Sequence, residues 1–332
     1  MTDFAVPPGY LNTPSIGIPP APVAAAVAES VERWRTGATR PGEFDQYVDR
    51  SRAGFARLLG VEPGRVAIGA SVSQLVANVA AALPAGTRVL AAEGDFTSVT
   101  FPFAAQDAVV TEVPLEVLPE RVEGHDVVAV SVVQSADGRI VDLPALRAAA
   151  EAAGAAVLLD ATQAVGWLPL DVAWADWVVA AGYKWLLSPR GCAWLAVRPD
   201  AHERTRPVAA NWYAGEDPWA TVYGLPLRLA GDARAFDLSP VWLAQVGAAA
   251  ALEYLVGLDL AQVAAHNTGL ADQLLEKLGR PPRGTAIVAL DADPERVAAA
   301  GIVSSVRGGR VRVGFHLYNT ADDVERVLRA FE

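Results

Sequence analysis

Residues 157–190 read VLLDATQAVGWLPLDVAWADWVVAAGYKWLLSPR, and the fold follows from where the apolar runs of this stretch stop. One run, Ala155-Ala156-Val157-Leu158-Leu159, ends abruptly on an acid, Asp160. A second, Trp177-Val178-Val179-Ala180-Ala181, runs into Gly182-Tyr183-Lys184. Short apolar runs without alternation predict strands covered on both faces, as in a parallel sheet flanked by helices. Ligands of such sheets bind beyond the carboxyl ends of the strands. The stretch therefore predicts an acid and a lysine at one sheet edge, on neighbouring strand ends.

An acid and a lysine so placed have one shared chemical use. Pyridoxal phosphate needs a lysine amine for its Schiff base and an acid that keeps its pyridine nitrogen protonated. Each residue also has a plainer reading, Asp160 as the cap of a following helix and Lys184 as a solvated surface lysine. The pair alone leaves both open.

Composition narrows the class. The chain has 332 residues, 52% hydrophobic and 20% charged, enough for one large core and a smaller one. A net charge of -11 without a basic cluster disfavours nucleic acid and anionic membranes as partners. No apolar stretch is long enough for a transmembrane helix. The start, Met1-Thr2-Asp3-Phe4, lacks a basic region and an apolar core, so no secretory leader is expected. The single cysteine, Cys192, precludes an intrachain disulfide, and a cytoplasmic protein is expected.

Along the chain, residues 1–20 are Pro-rich and extended. Amphipathic helices are predicted over 22–36 and 44–59. The strand Val66-Ala67-Ile68 enters Gly69-Ala70-Ser71-Val72-Ser73-Gln74 and then a helix over 75–83. Such a small-residue turn leaves backbone N–H groups aimed at an anion, although an ordinary serine cap would look the same. Residues 88–92 form the next strand, before Glu93-Gly94-Asp95-Phe96; Phe101 and Phe103 read as core. Residues 127–133 are the strongest buried strand, and 143–153 the crossover helix into the Asp160 strand. An antiparallel strand over 192–197 follows Lys184. Helices are predicted over 241–256 and 260–278, a strand over 286–290, and a last helix over 321–331 after Val311-Arg312-Val313-Gly314-Phe315-His316-Leu317-Tyr318-Asn319-Thr320.

Asp160-Ala161-Thr162-Gln163, Gly166, Lys184-Trp185-Leu186 and Pro189-Arg190-Gly191 together resemble the class V aminotransferase family, which includes cysteine desulfurases, selenocysteine lyases, kynureninase and isopenicillin N epimerase. Tyr10-Leu11-Asn12-Thr13-Pro14-Ser15-Ile16-Gly17 resembles the family's opening segment, and Val311 to Thr320 its V-R-x-S-x-H-x-Y-N-T run. The resemblance implies the type I pyridoxal-phosphate fold: a mostly parallel seven-stranded α/β large domain and a smaller α/β domain. The expected boundaries are an arm or active-site cover over 1–20, a cofactor-binding domain over 21–240 and a small domain over 241–332. It also implies a homodimer with both sites at the interface.

Site roles are implied in the same way. Asp160 takes the pyridine nitrogen, Gln163 the ring hydroxyl and Lys184 the cofactor aldehyde. Ser71 and Val72 lie at the phosphate and Phe96 on the ring face. Tyr183 replaces a side-chain contact to the phosphate, and Trp212 and Ser239 reach the phosphate across the dimer. Arg312 holds the substrate carboxylate, with Arg310 as a rival on the same strand face, and Asn12 and Ser135 line the substrate side. His316 reads as structural, and no metal is implied. Three departures mark the chain: Ser188 and Leu238 stand at family glycines, and Ala181-Gly182-Tyr183 replaces the desulfurase Ser/Thr-x-His, in a kynureninase-like manner. The region 303–309, where desulfurases carry a mobile cysteine in a loop, has none. The expected activity is transamination or Cβ-cleaving lyase chemistry on a small amino acid. C–S lyase, desulfurase-like or epimerase chemistry is the alternative, and a non-catalytic scaffold the alternative of another class.

Overall fold

The computed structural model describes residues 3–331; the Met1-Thr2 start and Glu332 lie outside the described residues. Its main sheet contains β1 (Val66–Gly69), β2 (Arg88–Ala92), β3 (Val109–Val113), β4 (Val127–Ser131), β5 (Ala156–Asp160), β6 (Trp177–Ala181) and β7 (Ala193–Val197). The strand order is β1-β7-β6-β5-β4-β2-β3. The run from β3 to β6 is parallel, and β7 is antiparallel to both β6 and β1. Every residue of β4, β5, β6 and β7 is buried, as expected of a sheet packed on both faces. β3 is the edge strand, and its Val-Val-Thr-Glu-Val sequence is largely exposed.

Helices cover the two faces. α1 (Ala21–Arg35), α2 (Asp45–Leu59), α3 (Val72–Ala80), α4 (Thr97–Ala104) and α5 (Leu143–Ala153) come in chain order before β5. α6 (Trp242–Val256) packs against α1 and α2. α5 begins where Asp142 accepts the Ala145 N–H at 2.9 Å, and ends at left-handed Gly154. α3 starts three residues earlier than the sequence pattern suggested, because Ser71 is extended and the helix winds directly after it. α4 escaped the sequence reading. In it Phe103 is fully buried whereas Phe101 is 65% exposed, which corrects the expectation that both are core. Residues two apart on a helix point to nearly opposite sides, so only one of the pair can face the sheet.

A second sheet, β8 (Ile287–Leu290), β10 (Arg310–Gly314) and β9 (Ser305–Arg307) in that order, is antiparallel. Its core closes against α7 (Leu260–Lys277) and α9 (Ala321–Arg329). β9 and β10 form a tight hairpin through Gly308-Gly309, so region 303–309 is an ordered strand and turn rather than a loop. A short helix, α8 (Pro294–Ala299), precedes it. Among the described residues no single helix is long and apolar enough to cross a membrane.

The N-terminal segment joins the two sheets. Leu11 is buried in the core of the small sheet, where Tyr10 and Asn12 bridge Val303 and Gly314. Six residues beyond Leu11, the Gly17 N–H donates to the Tyr183 carbonyl at 2.9 Å, at the edge of the main sheet. The motif around residues 234–240 has a structural role as well. Arg52 and Asp237 form a buried ion pair at 2.7 Å, and Asp237 also accepts the Ile68 N–H at 2.8 Å, which ties this loop to β1.

Candidate active site

Asp160 is the last residue of β5, and Lys184 lies three residues past the end of neighbouring β6. Thr162 locks the two strand ends together. Its N–H donates to Asp160 Oδ1 at 2.8 Å, and its hydroxyl accepts the Ala181 N–H at 3.1 Å. Both charged groups are almost fully buried, and both face a cavity of about 580 Å³. Burial pushes the Asp160 carboxyl up to about 6, against the opposing pull of Thr162 and of the Lys184 charge. Burial pushes the Lys184 amine down to about 8; Asp160 opposes this and the charges of Arg312, Arg307 and Arg190 add to it.

The segment carrying Lys184 is pinned on three sides. Trp185 Nε1 donates to Gln163 Oε1 at 2.7 Å. His316 is fully buried, its Nε2 is 3.1 Å from the Trp185 carbonyl oxygen, and burial pushes its pKa down to about 3. A neutral ring that donates through Nε2 and accepts Asn267 Nδ2 at Nδ1 satisfies both contacts, so His316 is a structural donor. On the third side Gly17 lies against the Lys184 backbone, where a Cβ would overlap the carbonyl oxygen of Lys184 and approach Leu187 Cδ2 at 2.7 Å. Gly17→Val is therefore expected to displace the lysine segment. The expected result is a melting temperature lowered by several degrees and substoichiometric cofactor, read by thermal melting and visible absorption, with Ile16→Ala at a neighbouring exposed position as the control.

One end of the cavity presents the N-terminus of α3. The first helical hydrogen bond of α3 runs from Leu75 N to the Ser71 carbonyl at 3.4 Å, so the amides of Val72, Ser73 and Gln74 precede it. Ser71, Val72 and Ser73 all belong to the cavity wall. Ser71 makes no capping bond of its own, which leaves the helix end to a ligand. Phe96 sits opposite, half exposed, with its ring centroid 5.3 Å from Lys184 Nζ. Asp95, which carries no role in the sequence reading, holds it there. Its carboxylate accepts from Phe96 N at 2.7 Å, Ser131 N at 2.7 Å and Ser131 Oγ at 2.5 Å.

The other end is built by the small sheet and the N-terminal segment. Arg312, on β10, is 1% exposed and belongs to the wall. Its Nη1 donates to the Ser135 carbonyl at 2.5 Å and to Ser135 Oγ at 2.9 Å, and its Nη2 to Ser15 Oγ at 2.8 Å. Nε is buried with no partner among the described residues, so the Nε–Nη2 edge of the fork is short of an acceptor. Burial, with the neighbouring Arg307 charge, pushes its pKa down to about 10. Arg310 is not part of the wall. Gln163 Nε2 reaches Ser135 Oγ and the Pro14 carbonyl, each at 3.1 Å, at the seam between the two ends.

Of the residues singled out from sequence, Ser71, Val72, Phe96, Ser135, Asp160, Gln163, Tyr183, Lys184 and Arg312 share this one cavity. Asn12 is not in the wall; it bridges Gly314, and the N-terminal wall residues are Pro14 and Ser15. Trp212 packs against Tyr213 and Trp219, and Ser239 is exposed; neither lines the cavity of its own chain. Ser15, Arg190 and Arg307 line it without having been given a role. The cofactor-binding set fits pyridoxal phosphate. A buried carboxylate held near 6 makes no ion pair among the described residues and would gain one from a protonated pyridine nitrogen. A helix N-terminus without its own cap suits the phosphate, and a buried lysine held near 8 suits the aldehyde.

Comparison with known proteins bears on the family and the fold. The family model described as Aminotransferase class-V matches residues 35–303. A Bacillus subtilis protein named as an uncharacterized aminotransferase is 27% identical over 92% of this chain and 89% of its own. A Deinococcus radiodurans kynureninase is 27% identical over 96% of this chain and 88% of its own. The apo structure of a cysteine desulfurase from Thermococcus onnurineus superposes with a TM-score of 0.84 at 21% identity, covering 98% of this chain and 94% of that one.

Proposed function

This chain belongs to the class V aminotransferase family, and we propose that within it the protein is an aminotransferase for a small L-amino acid. It is a pyridoxal-phosphate enzyme, and the carrying observation is that the cavity wall places the Lys184 amine at its centre and, among the described residues, offers neither a thiol nor an imidazole. Pyridoxal phosphate, when bound, supplies the electron sink that acidifies the α-hydrogen of the amino acid joined to it. The residues that would hold it are Lys184 at the aldehyde, Asp160 at the pyridine nitrogen, Gln163 at the ring hydroxyl and Phe96 on the ring face. Ser71 and Val72 would take the phosphate, with Tyr183 beside them.

The chain's own groups do the rest. Arg312 receives the substrate α-carboxylate on its Nε–Nη2 edge, because a planar guanidinium matches a carboxylate in two parallel hydrogen bonds. That grip orients the α-hydrogen. Lys184, whose amine pKa burial holds down at about 8, takes the proton and can deliver it elsewhere. Desulfuration needs a nucleophilic thiol, and among the described residues the wall contributes none. Cys192 is fully buried in the core of the main sheet, and burial pushes its thiol pKa up. Cys192→Ala is accordingly expected to keep kcat within about twofold of wild type, and iodoacetamide treatment of the native enzyme to leave activity unchanged.

A Cβ-cleaving lyase is the second reading, favoured by Tyr183, whose ring is 5.7 Å from Lys184 Nζ and whose hydroxyl could protonate a leaving group. The deciding experiment supplies the holoenzyme with a panel of L-amino acids and a 2-oxo acid. Transfer of the amino group to the oxo acid supports the aminotransferase. Ammonia, pyruvate or sulfide release without transfer supports the lyase instead. Trp212 and Ser239, which lie outside the wall of their own chain, are assigned to the phosphate of a partner subunit in a homodimer.

A further inference from the structure

The cavity wall carries Lys184, Arg190, Arg307 and Arg312 against a single carboxylate, Asp160, in a chain of net charge -11. The proposed function accounts for most of these charges. Asp160 and Lys184 serve the ring and the aldehyde. Arg190, whose guanidinium carbon lies 4.9 Å over the Tyr183 ring, belongs with the phosphate end. Arg312 takes the α-carboxylate. Arg307 is left over.

Its position assigns it to the substrate end. Arg307 ends β9 and lies opposite Arg310, and Ser305 lies opposite Arg312, so all four share one face of the hairpin. Arg307 and Arg312 line the same cavity, and the Arg307 charge adds to the burial that depresses the pKa of Arg312. The only hydrogen bond of its side chain is to the neighbouring Val306 carbonyl at 2.7 Å, and among the described residues no carboxylate pairs with it. Ser305 Oγ, on the same face, is also buried without a partner. One α-carboxylate carries a single charge against two guanidinium groups of the same wall, and a second negative charge on the substrate would complement the other.

Resting on the aminotransferase reading, we propose that the substrate is an α-amino acid with a second anionic group at the end of its side chain, and that Arg307 binds that group at the mouth of the cavity. Arg307 is exposed on the hairpin, so a substrate reaching outward from Arg312 meets it before bulk water.

The test uses the holoenzyme and two readouts. The first is kcat/KM for L-aspartate, L-glutamate and O-phospho-L-serine against L-asparagine, L-glutamine and L-serine. The second is the dissociation constant of unreactive glutarate against butyrate, read from the change in cofactor absorption. Wild type is expected to favour the better acid over its neutral counterpart by about 10- to 100-fold. Arg307→Gln is expected to remove that preference while keeping the neutral substrates within a few-fold, and Arg307→Lys to restore part of it. A best substrate of O-phospho-L-serine identifies the distal group as a phosphate, and one of aspartate or glutamate as a carboxylate. Equal loss on acidic and neutral substrates in Arg307→Gln, or equal binding of glutarate and butyrate, overturns the proposal and makes Arg307 a second grip on the α-carboxylate, with the aminotransferase reading intact. Absence of any Lys184-dependent cofactor absorption overturns both.

Discussion

Lys184→Ala protein is expected to purify without the visible absorption that wild type shows with pyridoxal phosphate, and to lose kcat by on the order of 10⁴-fold. Two roles are removed at once, the covalent tether and the amine base of the wall. The pH dependence of cofactor capture isolates the amine. A lysine must be neutral to attack an aldehyde, and an ordinary lysine of pKa near 10.4 is about 0.04% neutral at pH 7. With its pKa pushed down to about 8 by burial, Lys184 is neutral in roughly one molecule in ten at that pH, about a 200-fold gain. The sign follows from the depressed value: the capture rate should rise with pH and level off just above 8, well below the pH at which a solvated lysine would do so. Stopped-flow mixing of apoprotein with pyridoxal phosphate measures this directly. A rate that still climbs steeply beyond pH 9 would refute the environment described for the amine.

How much of this was legible in the residues differs from one group to the next. Asp160 and Lys184 were readable because a strand buried on both faces must be apolar, so the first charged residue marks where it leaves the core. Arg312 was harder. Alternation places Arg310 and Arg312 on one face, and only depth separates them: Arg310 starts the strand beside the turn, and Arg312 is two residues further in and 1% exposed. The edge strand β3 and helix α4 were invisible, since Val-Val-Thr-Glu-Val has no continuous apolar run and α4 contains Pro102. The role of Asp95 depends on three hydrogen bonds across to Ser131 and Phe96, which no local pattern encodes. Arg307 was hidden for a related reason. A charge in a Gly-rich segment reads as solvated surface until the hairpin places it on the same face as Arg312 and in the same cavity wall.

Asp160→Asn separates catalysis from folding most clearly, because the two are expected to move in opposite directions. Asparagine keeps the shape and can still accept the Thr162 N–H, but it carries no charge to hold a proton on the pyridine nitrogen. With Lys184 and the helix N-terminus intact, the variant should still bind the cofactor, and kcat should fall by about 10²- to 10⁴-fold. Stability should respond the other way. The folded pKa of Asp160 is raised to about 6, above the unfolded value near 3.9, so between these values the folded state binds more protons than the unfolded one. In the apoprotein this group therefore lowers stability as pH rises from about 4 to 6, and the deficit persists above 6. Removing the charge removes the deficit. Apo Asp160→Asn is expected to melt close to wild type at pH 4 and several degrees higher at pH 7, whereas in the holoenzyme a cation on the pyridine nitrogen should abolish the advantage. Thermal melts of the four proteins across that range decide it. If apo Asp160→Asn is no more stable than wild type at pH 7, the buried carboxylate is already satisfied by the protein, and the inference that it awaits a cationic ring fails.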